Sequence, residues 1–258
     1  MYSLPTEVQF DVFKYLNFNQ LFSIKQTNLY FRNFINEYEN KFARMEFDTI
    51  SNCIFLENNS QLIKPLPEAF DFSVTRQLED KWKNAIERSI PLCLHKYKRI
   101  RKTVFVCFSE EVDNNKSNNY NIDVSNFPKS IEEMKIIRYY LEKLFNCAFK
   151  YAYFTLDIFN PEMIEILFDE NKTNIPLQIH TKSASLSISN KFEESFLKFA
   201  LNHLIVSRLQ INFNEVDNTE KWIDILLKIL TNGGNKFSTV RFRSFDLPEI
   251  YKFILQVK

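Results

Sequence analysis

Three histidines, His95, His180 and His203, and four cysteines, Cys53, Cys93, Cys107 and Cys147, are the residues of this 258-residue chain best suited to nucleophilic, proton-transfer or metal chemistry. Their spacing does not organise them. No two histidines stand at a metal-ligand interval and no C-x-x-C pair occurs, which argues against zinc and against a dense disulfide framework. His203 continues a helical stripe with Phe192, Phe196 and Phe199 and reads as a core histidine bonded locally. His180 alternates with Ile179 and is expected to face outward on a strand, while His95 opens a basic run. The cysteines sit among apolar neighbours and read as small, reduced core residues. Carboxylate doublets such as Glu79-Asp80, Glu132-Glu133 and Glu193-Glu194 point apart on a helix and read as solvated surface.

Glycine sharpens the negative. The chain has two, Gly233 and Gly234, and they are adjacent. A phosphate-cradling loop or a nucleophile elbow needs glycines at several fixed positions, so no P-loop, G-x-G-x-x-G or G-x-S-x-G motif can be written. The expectation is a protein that is not an enzyme and carries no cofactor or metal.

Charge excludes less. Lys+Arg 33 against Asp+Glu 32 leaves +1, so no global field draws nucleic acid or an anionic membrane. The basic run from Lys96 to Lys102 reads as a solvated loop. Its Lys98-Arg99-Ile100-Arg101 core also fits a minimal nuclear-localisation pattern. No basic segment followed by an apolar one opens the chain, and no stretch approaches 18 apolar residues. An intracellular protein, cytoplasmic with a nuclear option, is expected.

The elements come next. Leu4 to Phe47 reads as three helices. Pro5 suits a first helical turn, and Phe10 and Phe13 join Val8, Val12, Tyr15 and Leu16 in an apolar arc of roughly 220°. That is about twice what a free-standing three-helix unit has to bury, so a second surface must cover the surplus. A short helix carries Leu21, Phe22 and Ile24. A third carries Phe31, Phe34, Ile35, Tyr38, Phe42 and Met45 after Asn28.

Leu4-Pro5-x-Glu7-Val8-x-x-x-Val12-Phe13-x-Tyr15-Leu16, followed by Leu21-x-x-Ile24 and the pair Tyr30-Phe31, resembles the F-box. The remainder is similar to a large group of nematode F-box proteins, through Asp80-Lys-Trp82, Ile131-Glu-Glu-Met134, Leu144 to Phe149 and Phe159-Asn-Pro-Glu-Met163. The resemblance implies docking on the Skp-type adaptor of a cullin-based SCF ubiquitin ligase, with Leu4, Pro5, Val8, Val12, Leu16, Leu21 and Ile24 as the contact residues.

Beyond the F-box (1–47), residues 48–130 read as an irregular α/β linker region. Strands are expected near Ile50–Leu56 and Thr103–Phe108, a helix from about Val74 to Ile90, and an exposed loop over Asp113–Asn126. Residues 131–258 open with a helix carrying Met134, Ile137, Leu141, Leu144, Phe145 and Ala148. Strand–helix units then recur at roughly 24 to 31 residues, with strands centred on Phe154–Ile158, Leu186–Ile188, Leu209–Phe213 and Val240–Phe242. The fold class is α+β or α/β, with a degenerate leucine-rich-repeat-like solenoid and a single irregular domain both open.

Side chains alternate along strands, so the apolar residues of each unit are expected beneath the helices. The opposite face then shows Thr155, Asp157, Ser185, Ser187, Gln210, Asn212, Arg241 and Arg243 to a protein target. Two functions are compatible with this: substrate-receptor subunit of an SCF ligase, or a non-catalytic interaction scaffold that recruits none.

Overall fold

The computed structural model describes residues 4–53, 60–64, 72–95, 102–113, 116–168, 177–187, 192–213, 226–231, 233 and 236–243. Most of the basic run lies outside the described residues, as do Asn190, Asn218 and Asp246, each a suitable helix start by its side chain, and Trp222, on the helix expected before Gly233.

Three short helices open the chain: α1 (Thr6–Lys14), α2 (Phe18–Lys25) and α3 (Leu29–Glu37). Polar caps set their starts. Asn17 and Gln20 form a reciprocal capping box, with the Gln20 N–H donating to Asn17 Oδ1 at 2.9 Å, and Asn28 accepts from the Phe31 N–H at 2.9 Å. Phe13, Leu21, Phe31, Phe34, Ile35 and Phe42 form a separate core, with the Phe13 ring edge-on to Phe31 and Phe34.

The third helix stops earlier than its stripe predicts. After Glu37 a 3-10 turn (Glu39–Lys41) returns Phe42 to the helical core, and β1 (Met45–Cys53) begins. Met45 and Phe47 are therefore strand residues and not part of the helical unit. Sheet pairing outweighs the helical periodicity there: Met45 pairs with Cys147 and Phe47 with Phe149.

The remaining elements are β2 (Gln61–Leu62), α4 (Arg76–Glu87), β3 (Cys93–His95), β4 (Thr103–Asp113), β5 (Lys116–Ser125), α5 (Ile131–Phe145), β6 (Cys147–Phe154), β7 (Asp157–Phe159), α6 (Pro161–Leu167), β8 (Ile179–Ser187), α7 (Glu193–Asn202), β9 (Leu204–Asn212) and β10 (Thr239–Arg243). Eight strands form one sheet in the order β10-β9-β8-β6-β1-β4-β5-β2, and β3 pairs with β7 in a small second sheet. From β10 through β1 the neighbours are parallel, whereas β4 runs antiparallel to both β1 and β5. The protein is mixed α/β with a large, mostly parallel sheet.

The stretch expected as a polar loop is mostly β5. Ile122 and Val124 are buried on the helix side with Asp123 exposed between them, while Asn121 is buried and donates from Nδ2 to Ser60 Oγ. Half a strand on an open face is polar by construction, which is why it read as loop. The sheet also runs without a break across residue 130: β1 and β4 from the first stretch continue into β6 and β8 from the second. One core from Phe47 to Phe237 serves both, with Trp82, Phe145, Phe149 and Phe199 fully buried.

In β1, β6, β8 and β9 the inward alternation slips at one common level. Phe47, Phe149, Thr181 and Val206 point in, and the next inward row is Ile50, Ala152, Ala184 and Leu209, three residues on in each strand and not two. A slip in one strand would turn its far half inside out. Because all four slip together, the pairing continues and every far half keeps its apolar side under the helices.

Candidate functional site: the open face of the sheet

On the side away from the helices, β6, β8, β9 and β10 present two registered rows. Tyr151, Ser183, Arg208 and Thr239 form one, and Tyr153, Ser185, Gln210 and Arg241 form the next. Ser187, Asn212 and Arg243 continue on the last three strands. The serines of β8 are the smallest side chains, so the face is a trough along that strand. Tyr151 and Tyr153 make one wall, each 45% exposed, their rings nearly parallel at 17° with centroids 6.4 Å apart. Arg208, Gln210 and Asn212 make the other wall.

The amides are held in place. Asn212 Nδ2 donates to Ser185 Oγ at 3.0 Å, and Gln210 Nε2 donates to Asn212 Oδ1 at 3.1 Å. A shallow cavity of about 150 Å³ opens between Tyr151, Ser183, Arg208, Gln210 and Arg241. None of Arg208, Arg241 and Arg243 has a carboxylate partner among the described residues. The nearby lysines do: Lys150 pairs with Asp48 at 2.6 Å and Lys182 with Glu46 at 2.8 Å.

Six of the eight residues expected on this face are here: Ser185, Ser187, Gln210, Asn212, Arg241 and Arg243. Thr155 and Asp157 are not. Thr155 lies in a bend after β6, and Asp157 is buried on β7 in the small sheet, 5% exposed. The strand of that unit is Cys147–Phe154, starting directly after Asn146 caps α5. Reading residues 144–148 as helix displaced the strand and hid Tyr151 and Tyr153. The signal available was the pattern Phe149, Ala152, Phe154 set against Tyr151 and Tyr153.

Asp157 belongs to a buried network instead. His95 Nδ1 lies 2.6 Å from Asp157 Oδ1, and His95 Nε2 lies 2.9 Å from Asn126 Nδ2. Asn126 Oδ1 accepts the Cys93 N–H at 2.8 Å, so the Asn126 amide hydrogens face the imidazole. Nε2 is then the acceptor, and the Nδ1 proton is donated to Asp157. Cys93 is fully buried, and burial, with the Asp157 charge beyond it, pushes its thiol well above the usual range. A thiol so held is a poor nucleophile. These residues tie β3 to β7, and among the described residues no group of three or more His, Cys, Asp or Glu is placed to hold a metal.

The cysteines differ in part from expectation. Cys93 and Cys147 are free, whereas Cys107 is disulfide-bonded. Distance along the chain carries no information on which strands become neighbours. His203 is a core histidine, its Nδ1 donating to the Leu177 carbonyl at 2.8 Å. His180 sits outward on β8 but with Nε2 buried, and burial, aided by the Arg44 charge, lowers it to about 4.

The helical unit offers a second surface. Of the nine exposed large hydrophobic residues among those described, six fall within residues 4–30: Leu4, Val8, Tyr15, Phe22, Leu29 and Tyr30. Tyr30 donates its hydroxyl to Gln9 Oε1 at 2.9 Å, and Gln9 Nε2 donates to the Leu4 carbonyl at 2.7 Å, which joins the starts of α1 and α3. Of the expected contact residues, Leu4, Pro5 and Val8 are exposed, and Val12, Leu16 and Ile24 are half-buried against the helical core. Leu21 is 3% exposed and belongs to that core, so it supports the surface from beneath and does not form it. Between this unit and the sheet lies an apolar cavity of about 740 Å³ lined by Phe18, Leu21, Phe42, Phe47, Phe108 and Tyr139 among others.

The fold and its surfaces define an α/β protein with an open, polar sheet face and an apolar-surfaced helical unit at its N-terminal end. The chain belongs to the family described as a domain of unknown function, DUF8381, whose profile matches residues 63–214. That span contains α4 to α7 and the strands from β3 to β9, whereas β1, in the middle of the sheet, precedes it. No curated protein and no solved structure matches the chain.

Proposed function

We propose that the protein is a substrate-receptor subunit of an SCF-type ubiquitin ligase. Its helical unit docks on a Skp-type adaptor through Leu4, Pro5, Val8, Val12, Leu16 and Ile24, and its C-terminal α/β region holds a protein target. The observation that carries this reading is the concentration of exposed apolar side chains on a helical unit whose own core is already filled. Contiguous exposed apolar surface marks a protein contact. Its sequence from Leu4 to Phe31 resembles the F-box, which supports the reading.

Such a receptor performs no chemistry. It raises the effective concentration of a bound target beside the conjugating enzyme. The strand–helix alternation from β7 through α6, β8 and α7 to β9 supports a repeat-like reading of that segment, which lines its polar residues up on one face.

Pull-down with purified Skp-type adaptor tests the reading. Leu4→Ala with Pro5→Ala should weaken capture strongly, since buried interface anchors typically contribute about 2 kcal/mol or more. Absence of capture by the unmodified protein leaves the helical surface to a partner outside the ligase, the interaction-scaffold alternative.

A further inference from the structure

The trough along β8 has an occupant of definite chemistry written into its two walls. One wall is aromatic, with Tyr151 and Tyr153 standing parallel on β6. The other is cationic and amidic, with Arg208, Gln210 and Asn212 on β9 backed by Arg241 and Arg243 on β10. The walls are two strand spacings apart, about 10 Å. The floor is open at Ser183, in the cavity between Tyr151 and Arg208, while the Gln210 and Asn212 amides lean over Ser185. The chain's net charge of +1 conceals this, because Lys150 and Lys182 pair with Asp48 and Glu46 while Arg208, Arg241 and Arg243 have no carboxylate partner among the described residues.

We propose that this trough binds single-stranded RNA, with two bases against Tyr151 and Tyr153 and the phosphates against Arg208, Arg241 and Arg243. A single strand has this asymmetry, flat apolar bases on one side and anionic phosphates on the other. Aromatic side chains on an open sheet stack such bases regardless of sequence, and arginine forks bind phosphate oxygens. The Ser183 hydroxyl and the fixed Gln210 amide border the cavity, where a ribose 2′-hydroxyl or a base edge needs partners. A polypeptide fits less well. β8 is already paired on both sides by β6 and β9, so an incoming chain cannot add as a strand and its backbone groups would rely on side chains alone. A duplex cannot expose its bases to the tyrosines.

The inference does not rest on the ligase reading: adaptor capture uses the helical unit, and either result stands without the other. The test is fluorescence anisotropy of the full chain with a fluorescein-labelled twelve-nucleotide oligouridylate. Saturable binding is expected, with three phosphate contacts giving a log–log salt slope near about −2, or roughly twenty-fold weaker binding at 200 mM than at 50 mM salt. The double variant Tyr151→Ala/Tyr153→Ala should bind at least about ten-fold more weakly with the slope retained. Arg208→Ala/Arg241→Ala should cut the slope to about −0.7. All four side chains lie on the exposed face, so circular dichroism and adaptor capture should be unchanged. The proposal is overturned by no saturable binding at 50 mM salt, by equal binding of a twelve-base-pair RNA duplex, or by unchanged affinity in both double variants. Arginine-dependent capture of a twelve-residue glutamate peptide without oligouridylate binding overturns it in favour of a polypeptide occupant.

Discussion

His95 and Asp157, 62 residues apart in the chain, meet at 2.6 Å between Nδ1 and Oδ1 and join the two strands of the small sheet. Both side chains are nearly buried, and Asn126 holds the far side of the imidazole. Removing one member takes a hydrogen bond from each of its neighbours in a poorly solvated place, which costs more than the bond itself contributes. His95→Ala or Asp157→Asn should lower stability by about 2 to 4 kcal/mol. Thermal melts check this. An unchanged melting temperature would remove the structural role given to the pair, and a variant that folds should bind the adaptor as the unmodified protein does.

Val8 and Leu21 separate surface from core in the helical unit. Val8→Asp puts a charge on an exposed apolar patch and should abolish adaptor capture with no loss of melting temperature. Leu21→Ala should instead destabilise the unit by about 2 to 5 kcal/mol through the cavity it leaves. If Leu21→Ala weakened capture without affecting stability, Leu21 would be a contact residue after all.

Arg44 links the helical unit to the body by donating from Nη1 to the Phe145 carbonyl at 2.6 Å, at the last turn of α5. A cation there also complements the negative end of the helix. Arg44→Ala should cost about 1.5 to 3 kcal/mol, the range for hydrogen bonds to charged groups. Faster amide hydrogen exchange is expected in the last turn of α5 and in β1, with β9 unaffected.

His180 and His203 make stability depend on pH. Burial lowers both below the ordinary 6.5, His180 to about 4. The unfolded chain therefore takes up protons near pH 6.5 while both folded rings resist, His180 until about 4. Stability from these groups is fully present above pH 6.5 and is lost as the pH falls through the lowered folded values, about 4 for His180. Urea midpoints should decline from pH 7.5 to 5.5, and His180→Gln should flatten the decline. A midpoint that rose on acidification would contradict the burial of both rings.

Local chemistry is what the sequence alone determined. Asn28 and Asn160-Pro161 mark helix starts because a short polar side chain or a missing N–H satisfies the first turn whatever the rest of the fold does. The alternation of Ser185, Leu186 and Ser187 and of Gln210, Ile211 and Asn212 puts the serines and amides on one face for an equally local reason: neighbouring strand residues point opposite ways. The scarcity of glycine removes whole classes of phosphate-binding loop without reference to any fold.

Tertiary structure decided which strands are neighbours, and everything that follows from that. Met45 continues a helical stripe perfectly well, yet it is a strand residue because Cys147 lies beside it across more than a hundred residues. Asp157 alternates like a face residue, yet it is buried because His95 pairs with it from another strand. Tyr151, Ser183 and Arg208 carry no common signal along the chain. They become one site only when β6, β8 and β9 stand side by side, since sheet register is a long-range choice and the physics legible in a single segment is short-range.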